Sequence, residues 1–240
     1  WPRYFLKKGV GLMNLKTTEY DIKAGKNLRL AFVSDLHNFK GDIVLNALKT
    51  AGVDAVLLGG DILHGQKYVK QGFDFLKAVS KIAPTFYALG NHESGYSGDI
   101  RHQIKLSGAT LLDNDYVKFK GINIGGITSG SFYYSKNYKP DPTFLTEFSA
   151  LSGYKLLICH HPEYYDKYIK DLKIDLTLSG HAHGGQWRLF GRGAYAPGQG
   201  ILPKYTAGIY DGRLILSRGL GNVYFIPKIN NPSEILIINL

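Results

Sequence analysis

The sequence contains one cysteine, Cys159, among its 240 residues. A single cysteine cannot form an intramolecular disulfide, and it cannot build a metal site from several thiolates. This scarcity fits a reducing compartment, but an exported protein without disulfides would have the same composition. Long apolar runs are also missing, since no stretch approaches the roughly 18 residues that span a bilayer. The composition therefore excludes a disulfide scaffold and a cysteine-based metal centre.

Acidic residues are fewer than basic ones. Lys and Arg total 29 against 19 Asp and Glu, which gives a formal net charge of +10. This balance suits an anionic partner, whether a phosphate substrate, a nucleic acid or an acidic membrane surface. Hydrophobic residues make up 44% and charged residues 20% of the chain. These proportions are typical of a folded domain and unlike those of a disordered one.

Residues 1–27 are a basic, aromatic lead-in that begins at Trp1. One interpretation is a first strand with a solvated arm, and another is a surface that lies on acidic lipid. Because the first residue is not methionine, we expect the chain to be a processed or truncated form. Whether a signal or an anchor precedes Trp1 stays open.

From Leu28 onward, short apolar strands alternate with amphipathic helices. The segments "LRLAFV", "DAVLL" and "PTFYAL" are predicted strands, and 42–52 and 72–83 are predicted helices. This alternation predicts an α/β fold with crossover connections. A small hairpin is predicted next, with turns at Asp113-Asn114 and Lys120-Gly121, and further strands follow. No repeat, low-complexity tract or linker interrupts the pattern, so we predict a single domain over 1–240.

Polar side chains that bind metals come directly after these apolar strands. They are Asp35 and His37, Asp61, Asn91 and His92, His160, and His181 and His183. In open α/β sheets, ligands bind just outside the carboxyl ends of the strands, where several loops converge. Five separate segments that end in such side chains therefore predict one shared site.

Carboxylate, amide and imidazole ligands together suit Mn²⁺, Fe²⁺/³⁺ or Zn²⁺. Two divalent ions about 3.5–4 Å apart need a bridging carboxylate, and a shared hydroxide between them becomes a nucleophile near neutral pH. Such ions also grip phosphoryl oxygens during an in-line displacement. A histidine beside the metals, but not bound to them, is suited to protonate the leaving oxygen.

The order of these motifs resembles the calcineurin-like metallophosphoesterase family across 28–240. The motifs are Asp-x-His at 35–37, Gly-Asp at 60–61, Gly-Asn-His-Glu at 90–93, His-x-Pro at 160–162 and Gly-His-x-His at 180–183. The resemblance implies a four-layered α/β/β/α sandwich, in which two mixed sheets are flanked by helices. It also implies two divalent ions, with manganese favoured and zinc or iron as alternatives.

The same resemblance assigns a role to each site residue. It implies that Asp35, His37 and His183 hold one metal. It implies that Asn91, His160 and His181 hold the other metal. Asp61 would bridge the two ions, and His92 would act as the general acid.

A narrower resemblance involves "SGHAHGGQ" at 179–186 and "SRGLG" at 217–221. These segments are similar to a bacterial branch of the family that is associated with the membrane or the envelope. Some members cleave lipid-linked or nucleotide-linked phosphodiester or pyrophosphate bonds, and one relative hydrolyses UDP-2,3-diacylglucosamine. The chain departs from that branch at His64, where Asp is common, and in an insertion at 129–143. We expect a membrane or envelope location, peripheral or through a missing N-terminal segment, with a cytoplasmic location as the alternative.

The expected activity is hydrolysis of a phosphodiester or pyrophosphate bond by a metal-bridging hydroxide. The substrate would be a phosphorylated small molecule or a lipid, and its binding residues and the oligomeric state stay open. One alternative is a nuclease or cyclic-nucleotide phosphodiesterase, but the positive charge is spread along the chain rather than gathered in a stripe. A second alternative is a metal-bound scaffold without turnover. Such proteins tend to lose metal ligands or the catalytic histidine, whereas all seven predicted ligands and His92 are present here.

Several other residues carry weaker signals. His64, His102 and His161 are interpreted as ordinary polar residues, and Glu93 as a structural group that orients an imidazole. The segment 184–186 is interpreted as a tight turn. Two features stay open between a functional and a structural interpretation. They are the aromatic residues Phe132, Tyr133, Tyr134 and Tyr138, and the basic residues Arg188, Arg192 and Lys204.

Overall fold

The computed structural model describes residues 15–130, 140–222 and 227–240, without the side chains of 65–67. The predictions for the arm at 1–14 and for the aromatic run at 132–138 lie outside the described residues. The described residues form sixteen strands, numbered in chain order. They are β1 Leu15–Asp21, β2 Arg29–Val33, β3 Ala55–Leu58, β4 Thr85–Tyr87, β5 Thr110–Leu111, β6 Asp115–Phe119, β7 Ile122–Ile127, β8 Tyr154–Cys159, β9 Leu176–Ser179, β10 Arg188–Leu189, β11 Arg192–Gly193, β12 Tyr195–Ala196, β13 Gly200–Ile201, β14 Gly208–Tyr210, β15 Leu214–Leu216 and β16 Ser233–Asn239.

Two six-stranded sheets contain most of these strands. The first has the order β1-β16-β2-β3-β4-β5 and is parallel except between β16 and β2. The second has the order β14-β15-β9-β8-β7-β6, with a parallel centre and an antiparallel pair at each edge. Both sheets are therefore mixed, as predicted.

Helices cover the outer faces of the sheets. They are α1 Gly41–Ala51, α2 Gly65–Val79, α3 Ile100–Ser107 and α4 Pro142–Ala150. Short 3₁₀ turns lie at His92–Gly95 and His183–Gly185, and a π-helical turn lies at Tyr165–Ile169. None of the helices in the described ranges is long and apolar enough to cross a membrane.

The apolar core is divided into three layers by the two sheets. In β2, Ala31 and Val33 pack with α1 and α2, whereas Leu30 and Phe32 point to the opposite side and pack with the second sheet. This alternation follows from the two-residue period of a strand that is buried on both faces. A third cluster lies between the second sheet and α4. Three apolar layers between four structural layers confirm the α/β/β/α sandwich.

Two local predictions need correction. The helix predicted at 72–83 is α2, which begins seven positions earlier, at Gly65, and ends at Val79. The turn at Asp113-Asn114 does not join two strands of one hairpin, because β5 lies in the first sheet and β6 in the second. It instead carries the chain from one sheet to the other. The turn at Lys120-Gly121 is confirmed, with φ of 43° and 82°, as two-residue hairpin turns require.

Candidate metal centre

The loops after β2, β3 and β4 of the first sheet meet the loops after β8 and β9 of the second. Hydrogen bonds between backbone atoms hold these loops together. The Asp35 amide donates to the Gly60 carbonyl at 3.0 Å, and the Gly180 amide donates to the His160 carbonyl at 3.2 Å. The His181 amide, after β9, donates to Oδ1 of Asp35, after β2, at 3.2 Å. The carboxyl ends of both sheets thus meet around one cleft that brings the predicted site residues together.

The first group of donor atoms belongs to Asp35, His37 and His183, all of which are buried. Nε2 of His37 lies 3.4 Å from Nε2 of His183. Nε2 of His183 lies 3.3 Å from Oδ1 of Asp35. These three residues are the ones predicted to hold one metal.

The second group belongs to Asp61, His160 and His181, which are also buried. Nε2 of His160 lies 3.3 Å from Oδ2 of Asp61 and 3.1 Å from Oδ1 of Asn91. The same Oδ2 lies 3.8 Å from Nε2 of His37. Asp61 therefore stands between the two groups, where a bridging carboxylate is predicted.

The spacing of these donor atoms fits a metal ion. Ligand atoms bonded at about 2.1 Å to a four- to six-coordinate cation lie roughly 3.0–3.4 Å apart. Four separations among these atoms and Oδ1 of Asn91 are 3.1–3.4 Å, and all donor atoms of a group lie within 4.8 Å of one another. The residues present therefore suit divalent ions.

Backbone carbonyls fix the orientation of two of these imidazoles. Nδ1 of His160 donates to the Gly59 carbonyl at 2.6 Å, and Nδ1 of His183 donates to the Gly221 carbonyl at 3.3 Å. Each bond leaves the Nε2 lone pair directed at the cleft, which is the usual way in which a ligand histidine is oriented. Gly221 belongs to the "SRGLG" segment, so the structure gives that segment a supporting role at the centre.

Burial and charge set the protonation of the site. Burial lowers the pKa of His37 and His181 well below the usual value, and it lowers the pKa of His183 to about 3. Burial would also lower the pKa of His160, but the facing Asp61 carboxylate outweighs it and raises this pKa. Burial would raise the pKa of Asp61, yet the facing imidazoles, His160 first, hold it well below its usual range. Metal ligands must be deprotonated, and an anionic Asp61 beside mostly neutral imidazoles meets this requirement.

Five of the predicted ligands have left-handed backbone conformations. They are Asp35, His37, Asp61, His181 and His183, with φ between 45° and 65°. This region costs an L-residue roughly 1–2 kcal/mol. Strand geometry does not place Asp35 and His37, because β2 ends at Val33 and both residues lie in the loop beyond it. Strained backbone at a cluster of donor atoms is typical of a functional site.

His92 lies beside the two groups rather than within either of the predicted ligand sets. Its Nε2 is 3.9 Å from Oδ2 of Asp61, and its ring centroid is 4.8 Å from that of His37. Its side chain is 21% exposed, whereas those of His37 and His160 are almost fully buried. The backbone amide of His92 donates to Oδ1 of Asp61 at 2.8 Å. The side chain is thus partly exposed to solvent at the edge of the centre.

Glu93 supports the backbone of the site rather than an imidazole, which corrects the expected role. Its buried carboxylate accepts hydrogen bonds from the amides of Asp61, Gly90 and Leu63 at 2.9, 2.7 and 3.0 Å. It also accepts one from the Tyr87 hydroxyl at 2.6 Å. Glu93 therefore clamps the loop after β3 to the loop after β4.

Sequence reasoning left His64 and His161 unassigned, and the structure places both against the site. Nδ1 of His64 shares a hydrogen bond of 2.8 Å with Nδ1 of His37. His161 lies between Ser129 and Glu163, with its ring centroid 4.3 Å from that of His181. His102, which was also interpreted as an ordinary polar residue, is exposed on α3. The departure from the family pattern at His64 was the one signal in the sequence that pointed to it.

We expect replacement of His64 by alanine to weaken metal binding about 10- to 100-fold, the usual effect of removing a partner of a ligand histidine. The loss should arise because Nδ1 of His37 no longer has its hydrogen bond. Titration of the metal-free chain with Mn²⁺ measures the affinity. His102→Ala is the matched control, since it removes an exposed imidazole away from the cleft. Equal affinities for the two variants would contradict the orienting role.

Two glycines allow the loops to approach each other. A Cβ at Gly60 would lie 2.6 Å from the Cα of Gly90 and 2.7 Å from Nδ1 of His160. A Cβ at Gly90 would lie 2.2 Å from Oδ1 of Asp61. Both contacts are too short for real atoms, so only glycine fits at these positions.

We expect Gly60→Ala to lower the free energy of unfolding by more than about 4 kcal/mol, because the new methyl group meets backbone and a buried ring. Gly25→Ala is the control, since Gly25 also has a positive φ but no atom within 4 Å of its Cβ position. It should lose only about 1–2 kcal/mol from backbone strain. Urea unfolding of the metal-free variants measures both values, and similar losses would show that strain rather than contact decides the effect.

The sequence is similar to that of known metallophosphoesterases. The family model described as calcineurin-like phosphoesterase matches residues 28–185. An uncharacterised metallophosphoesterase of Helicobacter pylori is 28% identical over 197 residues, which cover 78% of this chain and 52% of the relative. Phosphodiesterase YaeI of Escherichia coli is 28% identical over 237 residues, covering 88% and 82%. The chain thus spans about half the length of the Helicobacter pylori relative.

Proposed function

We propose that this chain, which belongs to the calcineurin-like phosphoesterase family, hydrolyses phosphodiester or pyrophosphate bonds with two divalent metal ions. Membership makes it a metal-dependent phosphoester hydrolase. The number of ions and the type of bond are the proposal. The position of Asp61 supports two ions most strongly, because one carboxylate oxygen faces imidazoles of both donor groups. The name of the Escherichia coli relative, a phosphodiesterase, supports the bond type.

Each group of donor atoms would bind one of the two ions. Asp35, His37 and His183 would hold one ion. Asn91, His160 and His181 would hold the other ion. Asp61 would contact both. When bound, divalent ions supply Lewis acids for the phosphoryl oxygens and an activated water as the nucleophile.

His92 would hold a proton at Nε2 and donate it to the leaving oxygen. Its partial exposure, at 21% of the side chain, leaves room for a substrate beside it. Its backbone amide anchors it to Asp61, so the imidazole stays near the reacting phosphate. A positioned general acid of this kind contributes roughly 10²–10⁴-fold to a rate.

A substrate screen with metal analysis tests this proposal. Elemental analysis of the purified chain should find two metal ions per chain, with manganese expected to support the highest turnover. The metal-loaded chain is then assayed on phosphomonoester, phosphodiester and pyrophosphate substrates, with and without acyl chains, and on single-stranded DNA. Preference for a diester or pyrophosphate would support the proposal. Preference for DNA would favour the nuclease instead, and full occupancy without turnover on any substrate would favour a scaffold.

A further inference from the structure

Exposed large apolar side chains are concentrated just after His183 in the described part of the chain. Elsewhere in that part, only Leu106 and Tyr116 are of this kind. We call the concentrated set the hairpin surface. It comprises Trp187, Leu189, Phe190, Tyr195, Ile201, Leu202 and Ile229. Single exposed apolar residues are ordinary on a protein surface, but a cluster of this size marks a site of interaction.

Two small hairpins carry this surface side by side. One consists of β10 and β11, and the other of β12 and β13. The Leu202 amide donates to the Ala194 carbonyl at 3.0 Å, which continues the pairing of β12 with β13 at the base of the second hairpin. Ala194 alone separates this hairpin from β11. The Arg188 amide donates to the Ile229 carbonyl at 3.0 Å, which brings Ile229 to the same side.

Large apolar residues occupy two positions of left-handed backbone, Phe190 in the turn between β10 and β11 and Leu202 at the base of the second hairpin. Phe190 is 96% exposed with φ of 49°, and Leu202 is 78% exposed with φ of 52°. Left-handed backbone favours Gly, Asn or Asp, and bulky residues are rare there. Neither side chain packs in the core to compensate for this strain. A residue that violates its local preference without packing is expected to serve a function outside the fold.

A cavity with three cations lies between the hairpins. Its volume is about 350 Å³, and its lining includes Arg188, Arg192 and Lys204. Nη1 of Arg188 donates to the Gly184 carbonyl at 2.7 Å, and Lys204 pairs with Asp166 at 2.5 Å. No acidic residue occurs between positions 181 and 210. Because Arg188 also donates to the Gly191 carbonyl and Lys204 is paired with Asp166, the exposed Arg192 is the cation that the cavity presents to an anion such as a phosphate group.

We propose that the hairpin surface docks onto an anionic lipid bilayer. Phe190, Ile201 and Leu202 would enter the acyl region, and Arg192 would bind the phosphate of a lipid headgroup. Trp187 and Tyr195, each with an apolar ring and a polar atom, suit the level of the headgroups. A bilayer fits better than a protein partner, because Phe190 at one hairpin tip and Leu202 at the base of the other hairpin are both exposed, and the cation Arg192 lines the cavity beside Leu202. A bilayer offers both acyl chains for the apolar residues and phosphate groups for the cation.

Docking would bring the metal centre close to the bilayer. The hairpins are bound to the loop that follows His183, because the Ala194 amide donates to the Gly185 carbonyl at 3.0 Å. The substrate class that follows is a phosphodiester or pyrophosphate on a lipid held in the bilayer. This last step rests on the proposed hydrolase function, whereas docking itself does not.

Vesicle binding by the full chain tests the docking. Sedimentation with phosphatidylcholine vesicles that contain phosphatidylglycerol is compared with sedimentation with pure phosphatidylcholine. We expect the anionic vesicles to bind at least about tenfold more tightly. The double variant Phe190→Asn, Leu202→Asn should lose about tenfold or more, because it removes apolar insertion without changing charge. Arg192→Gln should lose about fivefold, the effect of one cation near an anionic surface. Leu106→Asn, which changes an exposed leucine on α3, should bind as the unmodified chain does.

Three results would overturn the docking. One is the absence of binding to anionic vesicles, and another is unchanged binding by the double variant. The third is dimerisation in light scattering that the double variant abolishes, which would make the surface an interface with a second copy. Hydrolysis of soluble bis(p-nitrophenyl) phosphate should be equal in all variants. If the unmodified chain bound vesicles but hydrolysed no substrate, the proposed function would fail and the docking would stand.

Discussion

Replacement of Asp61 by alanine is expected to empty both metal positions and to lower turnover a thousandfold or more, which corresponds to about 4 kcal/mol of transition-state stabilisation. Oδ2 of Asp61 lies 3.3 Å from Nε2 of His160 and 3.8 Å from Nε2 of His37. Two divalent charges about 4 Å apart repel by more than roughly 10 kcal/mol at an effective dielectric constant near 20. Without the shared carboxylate, the remaining ligands cannot offset this repulsion.

Elemental analysis and turnover of bis(p-nitrophenyl) phosphate measure these two effects. Asp61→Asn is the informative companion, because its amide oxygen still accepts the hydrogen bond that the His92 amide donates. If loss of charge empties the site, both variants should lose metal. Two ions per chain in Asp61→Ala would refute the bridging role.

Replacement of His92 by asparagine is expected to keep both ions and to lower turnover roughly 10²–10⁴-fold. The side chain lies outside both predicted ligand sets, with its Nε2 3.9 Å from Asp61, so metal binding should not depend on it. The hydrogen bond from His92 to Asp61 uses the backbone amide and survives the substitution. The loss should therefore arise from the missing proton donor.

A comparison of leaving groups separates this role from a structural one. A p-nitrophenyl group leaves as a stabilised anion and needs little protonation, whereas an alkyl alkoxide needs a proton. His92→Asn should thus impair an alkyl diester far more than an aryl diester. Loss of metal with unchanged turnover per bound ion, or equal impairment of the two esters, would remove the general-acid assignment.

The positions of the site residues could be predicted because strand ends are visible in the sequence. A short apolar run that stops at a polar residue marks the carboxyl end of a strand, and this pattern located Asp61 and His160. The continuous apolar run of β2 likewise indicated a buried strand. The left-handed conformations of Asp35 and His183 could not be predicted, because contacts between distant loops impose them on residues that do not favour them.

The role of His64 and the hairpin surface also escaped prediction, for different reasons. His64 meets His37 only because α2 begins directly after it, earlier than the apolar pattern suggests. The strands of the two hairpins are two residues long, too short for any periodicity to show. Arg192 therefore looked like a scattered surface charge, although folding places it beside Lys204 in one cavity.

The position of β16 between β1 and β2 has a consequence for synthesis on the ribosome. The Thr18 hydroxyl donates to the Glu234 carboxylate at 2.6 Å across 216 positions of sequence. At about 5–20 residues per second, β1 waits on the order of ten seconds or more for the strand that pairs with it. During that interval, β1 and the open edge of β2 both expose unpaired backbone groups, which invite association with other nascent chains. Since Asp35 lies two residues beyond the end of β2, the nascent chain is expected to acquire its metal ions only after this last strand has paired.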